Sequence, residues 1–270
     1  MARLHHRITL HLELTRTPAP LPTGNALRLA TLFGLSTRPQ PQRLIPPTTL
    51  TLRPGQITFI TGPSGAGKST LLKLIHTALQ QRPVRLASLD HLPPAPDRPL
   101  VDCFGRLPLA RVTGLLARAG LGEARTLLLT PAQLSSGQLW RFQLARALAR
   151  LSPRRRPHRL RVLLTDEFAA GLDALTAAVL ARNVRRWTRH HRIAAVLATS
   201  RTELLEPLEP EVLVYKGLGQ ALIARQRGGE RITADQPAAP EPAAHTLGNA
   251  SAGPLAVLAS THHPVWEGAA

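Results

Sequence analysis

The chain has 270 residues, 43% apolar and 3% aromatic, enough for one large domain or two small ones around a core of Leu, Ala, Val and Ile. Its single cysteine, Cys103, excludes an internal disulfide framework and any multi-cysteine metal site. Lys plus Arg number 34 against 16 Asp plus Glu, a formal charge of +18 that fits either a nucleic-acid or membrane-surface partner or an arginine-rich coding bias; no apolar run reaches the ~20 residues of a membrane-spanning helix, so a cytoplasmic protein is expected.

Residues Ile8 to Leu14 alternate apolar and polar, the period of a half-buried strand. Asn25 to Leu35 reads as a short helix. Thr49 to Thr61 holds two strand-like runs around the turn Arg53-Pro54-Gly55. From Lys68 to Leu79, the apolar positions Leu71, Leu72, Ile75, Ala78 and Leu79 recur at helical spacing. Val84 to Leu89 is a candidate strand, and the proline-rich stretch from Asp90 to Pro99 is irregular. Leu109 to Leu121 and a segment from just after Gly137 through Ala149 are helical in pattern. Leu160–Thr165 is an apolar strand, Leu175–Trp187 a helix, and Ile193–Thr199 a strand buried on both faces. Val212–Tyr215 and Leu222–Ala224 close the series. Continuous apolar strands alternating with helices predict an α/β domain with a mostly parallel central sheet. The expected organisation is an N-terminal segment over 1–43, a main domain over 44–226 with a helical subdomain over about 100–150, and a disordered Ala/Pro/Gly-rich tail over 227–270.

Three motifs carry chemistry. Gly62-Pro63-Ser64-Gly65-Ala66-Gly67-Lys68-Ser69-Thr70 fits the phosphate-binding loop G-x-x-x-x-G-K-[ST], between a strand and a helix as that loop requires. Its glycines let successive amides turn towards phosphate oxygens, Lys68 brings a full charge to the β- and γ-phosphates, and Ser69 offers a hydroxyl to Mg²⁺. Leu163-Leu164-Thr165-Asp166-Glu167 is an apolar strand ending in two acids, placing Asp166 in the Mg²⁺ shell and Glu167 beside an attacking water. Leu134-Ser135-Ser136-Gly137-Gln138 opens a helix, where a hydroxyl and free amides make an anion site.

In this order the motifs resemble the ATP-binding cassette (ABC) ATPases over about residues 44–220, which implies a P-loop NTPase fold of the ABC type. The resemblance makes Leu134–Gln138 the family's signature sequence, with Ser136 where glycine is usual. It implies that Ser135 and Gly137 reach the ATP held by an opposite subunit in a head-to-tail homodimer. It makes Asp166 the Mg²⁺ aspartate, Glu167 the catalytic glutamate and Ala170-Gly171-Leu172-Asp173 the D-loop, with Asp173 in its acidic position. Cofactor and substrate are then Mg²⁺ and ATP.

The chain also departs from the family. Phe168 follows the glutamate where Pro is usual. Thr199-Ser200-Arg201 stands where Thr-His is expected, so Ser200 holds the switch position with a neutral hydroxyl in place of an imidazole. After the strand at 84–89, Asp90-His91-Leu92-Pro93 contains no Q-loop glutamine, the residue that couples the γ-phosphate to a permease. With Pro99–Gly105, Trp140-Arg141-Phe142 and Leu208–Val212 before Lys216-Gly217, the chain is similar to a soluble group of ABC-type ATPases often fused to a predicted acetyltransferase domain, which this chain is expected to lack. The leading expectation is therefore a soluble, slow Mg-ATP hydrolase. The alternatives are the ATP-binding subunit of a transporter with a separate permease, and an ATP-gated nucleic-acid clamp. Phe33 is either an adenine-stacking ring or core. Cys103 is expected to be a small buried hydrophobe, and Trp140 and Phe142 to pack the signature helix. His5-His6, His262-His263 and Arg154–Arg156 are read as solvated.

Overall fold

The computed structural model describes residues 7–17, 24–34, 40–152, 159–219, 222–227 and 231–232. The chain divides into two compact units, Met1–Asp235 and Gln236–Ala270, the second lying outside the described residues. His5-His6, Arg154–Arg156 and His262-His263 also lie outside them. The strands are β1 (Ile8–Arg16), β2 (Gln42–Leu52), β3 (Ile57–Thr61), β4 (Arg85–Ser88), β5 (Arg161–Thr165), β6 (Ala194–Ala198), β7 (Val212–Lys216), β8 (Leu222–Gln226) and β9 (Arg231–Ile232). The helices are α1 (Asn25–Leu32), α2 (Lys68–Gln80), α3 (Leu109–Arg118), α4 (Ala124–Leu127), α5 (Ser136–Leu151), α6 (Ala174–His191) and α7 (Leu205–Leu208).

Seven strands form one sheet in the order β4-β5-β6-β3-β7-β8-β9. The first five run parallel, and β8 and β9 are antiparallel at the edge. β6 therefore sits between the strand that leads into the glycine loop and the strand that ends in the acids. β3, β5 and β6 are buried along their whole length, which is why they read as unbroken apolar runs. Alternate residues serve opposite layers. Phe59, Leu163 and Leu197 face a core shared with α5 and α6, through Leu144, Leu148, Leu180 and Val184. Ile60, Leu164 and Val196 face a second core with Leu71, Ile75 and Leu79 of α2. Each such Leu or Ile is worth roughly 1.5–3 kcal/mol of transfer free energy.

A two-stranded antiparallel sheet of β1 and β2 covers the α2 side, with Leu10, Leu12, Ile45, Leu50 and Leu52 in the second core. β2 starts at Gln42, well before the run expected from Thr49, because Pro46 and Pro47 are absorbed where the register shifts opposite Leu12 and Leu14. β1 and β2 thus pair across the boundary expected at residue 43. The sheet also continues past Gln226, where Arg231–Ile232 pair with Ala224 and Arg225; two polar-flanked residues carry no readable period. The rest of the expected tail, 233–270, lies outside the described residues.

The 100–150 region holds a third, smaller core of Leu100, Val112, Leu116, Leu121, Phe142 and Ala145, built from α3, the start of α5 and a 3₁₀ turn at Leu100–Phe104. Phe142 is fully buried there, packed edge-on against Phe104. Phe33 is not core: it is 71% exposed at the end of α1. Cys103 is only half-buried, and its thiol donates to the carbonyls of Arg98 and Pro99, both at 3.4 Å. Burial raises its pKa.

Candidate nucleotide site

The parallel register sets the site. Ile60 pairs with Ala198, Thr165 with Leu197, and Thr61 with Tyr215. Gly62, Asp166 and Thr199-Ser200, which follow these strands, and Lys216, which ends β7, consequently emerge along one carboxyl edge, where ligands bind in open α/β sheets. Two loop bonds keep the edge together: Thr199 N donates to Ile60 O at 3.0 Å, and Phe168 N to Ala198 O at 2.8 Å.

The glycine loop turns through left-handed backbone at Gly65 (φ 72°) and Gly67 (φ 96°), and Gly62 sits at φ 145°. Gly67 is the N-cap of α2, so the first amides of the helix are free of a side-chain cap. Lys68 folds back over the loop, and its Nζ donates to Gly62 O at 2.9 Å and Pro63 O at 2.8 Å. Pro63, Ser64, Gly65 and Ser69 are exposed, Ala66 is buried against the loop, and Gly67 and Thr70 are half-buried. The loop is thus open on the side where its amides and the helix dipole favour an anion.

Asp166 is half-buried at the end of β5, and its Oδ1 accepts the Glu167 amide at 3.0 Å. Glu167 is exposed and held at φ 44°, a left-handed conformation that costs a non-glycine residue on the order of 1–3 kcal/mol. Ala169 follows at φ 58°. Phe168 explains how the loop keeps this shape without proline: it is fully buried and packs edge-on against Trp140 of α5, with ring centroids 5.5 Å apart.

Ser135 caps α5 with a reciprocal box: its Oγ accepts the Gln138 amide at 3.3 Å, and Gln138 Oε1 accepts the Ser135 amide at 3.0 Å. The helix begins at Ser136, one residue ahead of Gly137. Leu134 is half-buried and Ser135 and Ser136 exposed. A methyl group on Gly137 would stand 3.2 Å from Leu172 Cδ2 and 3.3 Å from Gly171 O, so the start of α5 and the loop before α6 are packed together. No hydrogen bond among the described residues joins the signature to the glycine loop. Asp173 caps α6: its Oδ1 accepts the Thr176 amide at 2.8 Å, and that bond holds its carboxyl below the usual range.

Ser200 is exposed at the switch position. Its neighbour Arg201 is committed elsewhere, donating from Nη1 to Ala169 O and Leu172 O, each at 2.7 Å, and from Nε to Glu203 at 2.7 Å. At the position of the missing glutamine, His91 stacks on His76, with centroids 4.1 Å apart, and shares a hydrogen bond with Ser88. Desolvation, then the charge of His91, lowers the pKa of His76.

Sequence reasoning passed over Lys216 as a site residue. It is 1% exposed and lies beneath the glycine loop. A Cβ on Gly62 would stand 2.0 Å from the Lys216 carbonyl, and one on Gly67 3.8 Å from Lys216 Cε. Its Nζ donates to Gly217 O at 2.8 Å and Gly219 O at 2.6 Å, and burial lowers its pKa. A lysine ending an apolar strand, in a chain with three lysines, was the available signal.

Residues 46–90 match the family model described as ABC transporter. The chain is 32% identical over 224 residues to an aliphatic sulfonates import ATP-binding protein of Burkholderia lata, covering 77% of this chain and 63% of that one. It is 37% identical over 163 residues to a phosphonates import ATP-binding protein of Anaeromyxobacter dehalogenans, covering 57% of this chain and 28% of that one. It is 32% identical over 207 residues to a methionine import ATP-binding protein of Pseudomonas aeruginosa, covering 63% of this chain and 58% of that one. The chain spans less than two thirds of the length of these curated relatives. A bacterial ABC transporter cassette solved as a dimer superposes with a TM-score of 0.58 at 19% identity, covering 83% of this chain and all of that one. The same cassette in a dimeric post-hydrolysis state bound to ADP and Pi gives 0.57 at 18% identity. The chain therefore has the fold of the ABC ATPase cassettes, matches the ABC transporter family model over residues 46–90, and is similar over part of their length to import ATP-binding proteins.

Proposed function

We propose that this chain binds and hydrolyses Mg-ATP as the ATP-binding subunit of an import system, paired with a separate permease. The observation that carries the nucleotide reading is the meeting of the glycine loop, Lys68, Asp166 and Glu167 along one carboxyl edge. The relatives support the importer reading over the soluble ATPase expected from the sequence, and nothing in them favours a nucleic-acid clamp or the acetyltransferase-linked group.

The residues fit Mg²⁺ bound with nucleotide. Ser69 and Asp166 offer hard oxygen donors, and no group of three or more acidic, His or Cys side chains among the described residues would hold a metal alone. Bound there, the ion would neutralise phosphate charge. Loop amides and Lys68 orient the phosphates, and Lys68 exchanges its carbonyl partners for phosphate oxygens. Glu167 accepts a proton from the attacking water. A second copy, head to tail, brings Ser135–Gln138 to the γ-phosphate, completing each of two sites.

The test has two stages. Phosphate release from Mg-ATP should be measurable and lost in Lys68→Ala; activity unchanged by that substitution would remove the nucleotide reading. Glu167→Gln, held in the ATP-bound dimer, should then co-purify with an integral membrane protein from detergent-solubilised membranes. Recovery only as a free soluble dimer would return the reading to the soluble ATPase.

A further inference from the structure

At the other end of the central sheet lies a feature that the nucleotide site does not use. A cavity of about 480 Å³ opens between the start of β4 and the helical subdomain, and five arginines line it: Arg85, Arg106, Arg111, Arg146 and Arg150. Among the described residues no carboxylate lines it. Asp97 and Asp102 are near enough to act on Cys103 in its wall, yet neither makes an ion pair with Arg106, Arg111, Arg146 or Arg150. Arg85 begins β4 and pairs with Arg161, the first residue of β5. The cavity is therefore at the amino ends of strands whose carboxyl ends carry the nucleotide site.

Two of the arginines are held in place by backbone carbonyls. Arg146 is 9% exposed; its Nη2 donates to Pro93 O at 2.8 Å and Pro94 O at 3.3 Å, and its guanidinium lies 5.7 Å from the Phe142 ring centre. Arg85 Nη1 donates to Ser152 O at 3.2 Å. Arg106, Arg111 and Arg150 are exposed at the mouth. Phe104 and Leu107 add an apolar wall. The positive field extends past the cavity. Burial, then Arg150, lowers the pKa of Arg146, and His191 at the end of α6 is brought down to about 4 by burial, then by His190, Arg161, Arg118 and Arg111.

Arg106, Arg111, Arg146 and Arg150 are like charges held near one another with no ion pair to a described carboxylate, and this costs self-repulsion that a bound anion would relieve. Guanidiniums match phosphate and carboxylate oxygens two at a time. One phosphate cannot engage guanidiniums on several sides of a cavity in the size range of small-molecule sites; a chain of phosphates can. We propose that this cavity binds a small anion carrying two or more linked phosphate groups, at a site separate from the glycine loop. The proposal does not depend on the importer reading.

Inorganic triphosphate is the probe, titrated by calorimetry into the full chain carrying Lys68→Ala, which silences the glycine loop. One equivalent should bind. Adding Arg111→Ala with Arg150→Ala should weaken binding at least tenfold, while the remote exposed pair Arg28→Ala with Arg225→Ala should change it less than twofold. With Lys68 left native, the Arg111→Ala/Arg150→Ala variant should still bind a fluorescent ATP analogue normally, which reports an intact fold and an intact loop. Absence of triphosphate binding to the Lys68→Ala chain overturns the proposal. So do equal losses in both arginine pairs, which would reduce the effect to net charge, and loss of ATP-analogue binding in the Arg111/Arg150 variant, which would make those residues structural.

Discussion

Arg201 donates through Nη1 to the Leu172 carbonyl at 2.7 Å, and so binds the loop after β6 to the loop after β5. The same nitrogen reaches Ala169 O, and Nε is held by Glu203. The guanidinium thus clamps the segment that carries Glu167 at one end and abuts Gly137 at the other. Arg201→Ala should lower steady-state phosphate release about tenfold while leaving affinity for a fluorescent ATP analogue within twofold, because the glycine loop takes no part in the clamp. Equal losses in affinity and turnover would place Arg201 in nucleotide binding instead.

Gly62 tolerates no side chain. A Cβ would fall 2.0 Å from the Lys216 carbonyl, and that neighbour is backbone of the paired strand β7, which cannot swing aside. Gly62→Ala should destabilise the chain by about 3 kcal/mol or more, comparable to other forced backbone strain. Gly65→Ala, with open space around its Cβ but φ 72°, should cost about 1 kcal/mol. Thermal melts of both variants check the order; a Gly62→Ala chain as stable as Gly65→Ala would mean that β3 and β7 are not held at this spacing.

Glu167 separates strain from chemistry. Glycine accepts φ 44° without cost, so Glu167→Gly should raise the melting temperature while abolishing turnover. Glu167→Gln keeps the backbone strain and a side chain of the same shape but cannot take a proton, so it should abolish turnover without the gain in stability. Differential scanning calorimetry beside phosphate release distinguishes them. A Glu167→Gly variant that is less stable than the parent would show that the side chain stabilises its loop.

Phe168 should be far less tolerant than its loop position suggests. It is fully buried against Trp140, and Phe168→Ala should cost about 3–5 kcal/mol by removing a packed ring between β5 and α5. Chemical denaturation measures this, and a loss under 1 kcal/mol would mean the cavity collapses without consequence.

What could be read beforehand follows from where a signal is local. The glycine loop, the acidic strand end and the Ser135 cap are contiguous in sequence, because the backbone geometry that each needs is set by its own residues. β3, β5 and β6 were legible because burial on both faces makes a strand uniformly apolar. Lys216 and Arg201 were not, since each acts on a partner distant in sequence: Gly62 lies across a β-pair from Lys216, and Leu172 lies 29 residues from Arg201. The arginine cavity is assembled from β4, α3 and α5, so no single window of sequence shows it. Phe33 was placed wrongly as a core candidate because a short helix of moderate amphipathicity does not state which end of its apolar stripe is covered.

Ser200 stands exposed at the carboxyl edge, after a loop fixed by the bond from Thr199 N to Ile60 O. Its hydroxyl is short and neutral. Arg201 cannot substitute for a longer donor without releasing the Ala169 and Leu172 carbonyls, and two carbonyls left without that donor in a half-buried loop would cost more than one new contact returns. Among the described residues no charged donor then serves the position of Ser200, and if this loop senses the γ-phosphate, Ser200→His should raise turnover. An imidazole reaches further and, when protonated, gives a charge-assisted bond to the departing phosphoryl group. About 1.4 kcal/mol of added stabilisation is a tenfold rate gain. The sign of the pH dependence follows from the donor: imidazolium prevails below its ordinary pKa of about 6.5, so the ratio of variant to parent rates should be largest near pH 6 and shrink by pH 8. Phosphate release by both proteins across that range is the measurement. A ratio of one throughout, with Arg201 intact, would show that this loop does not sense the γ-phosphate.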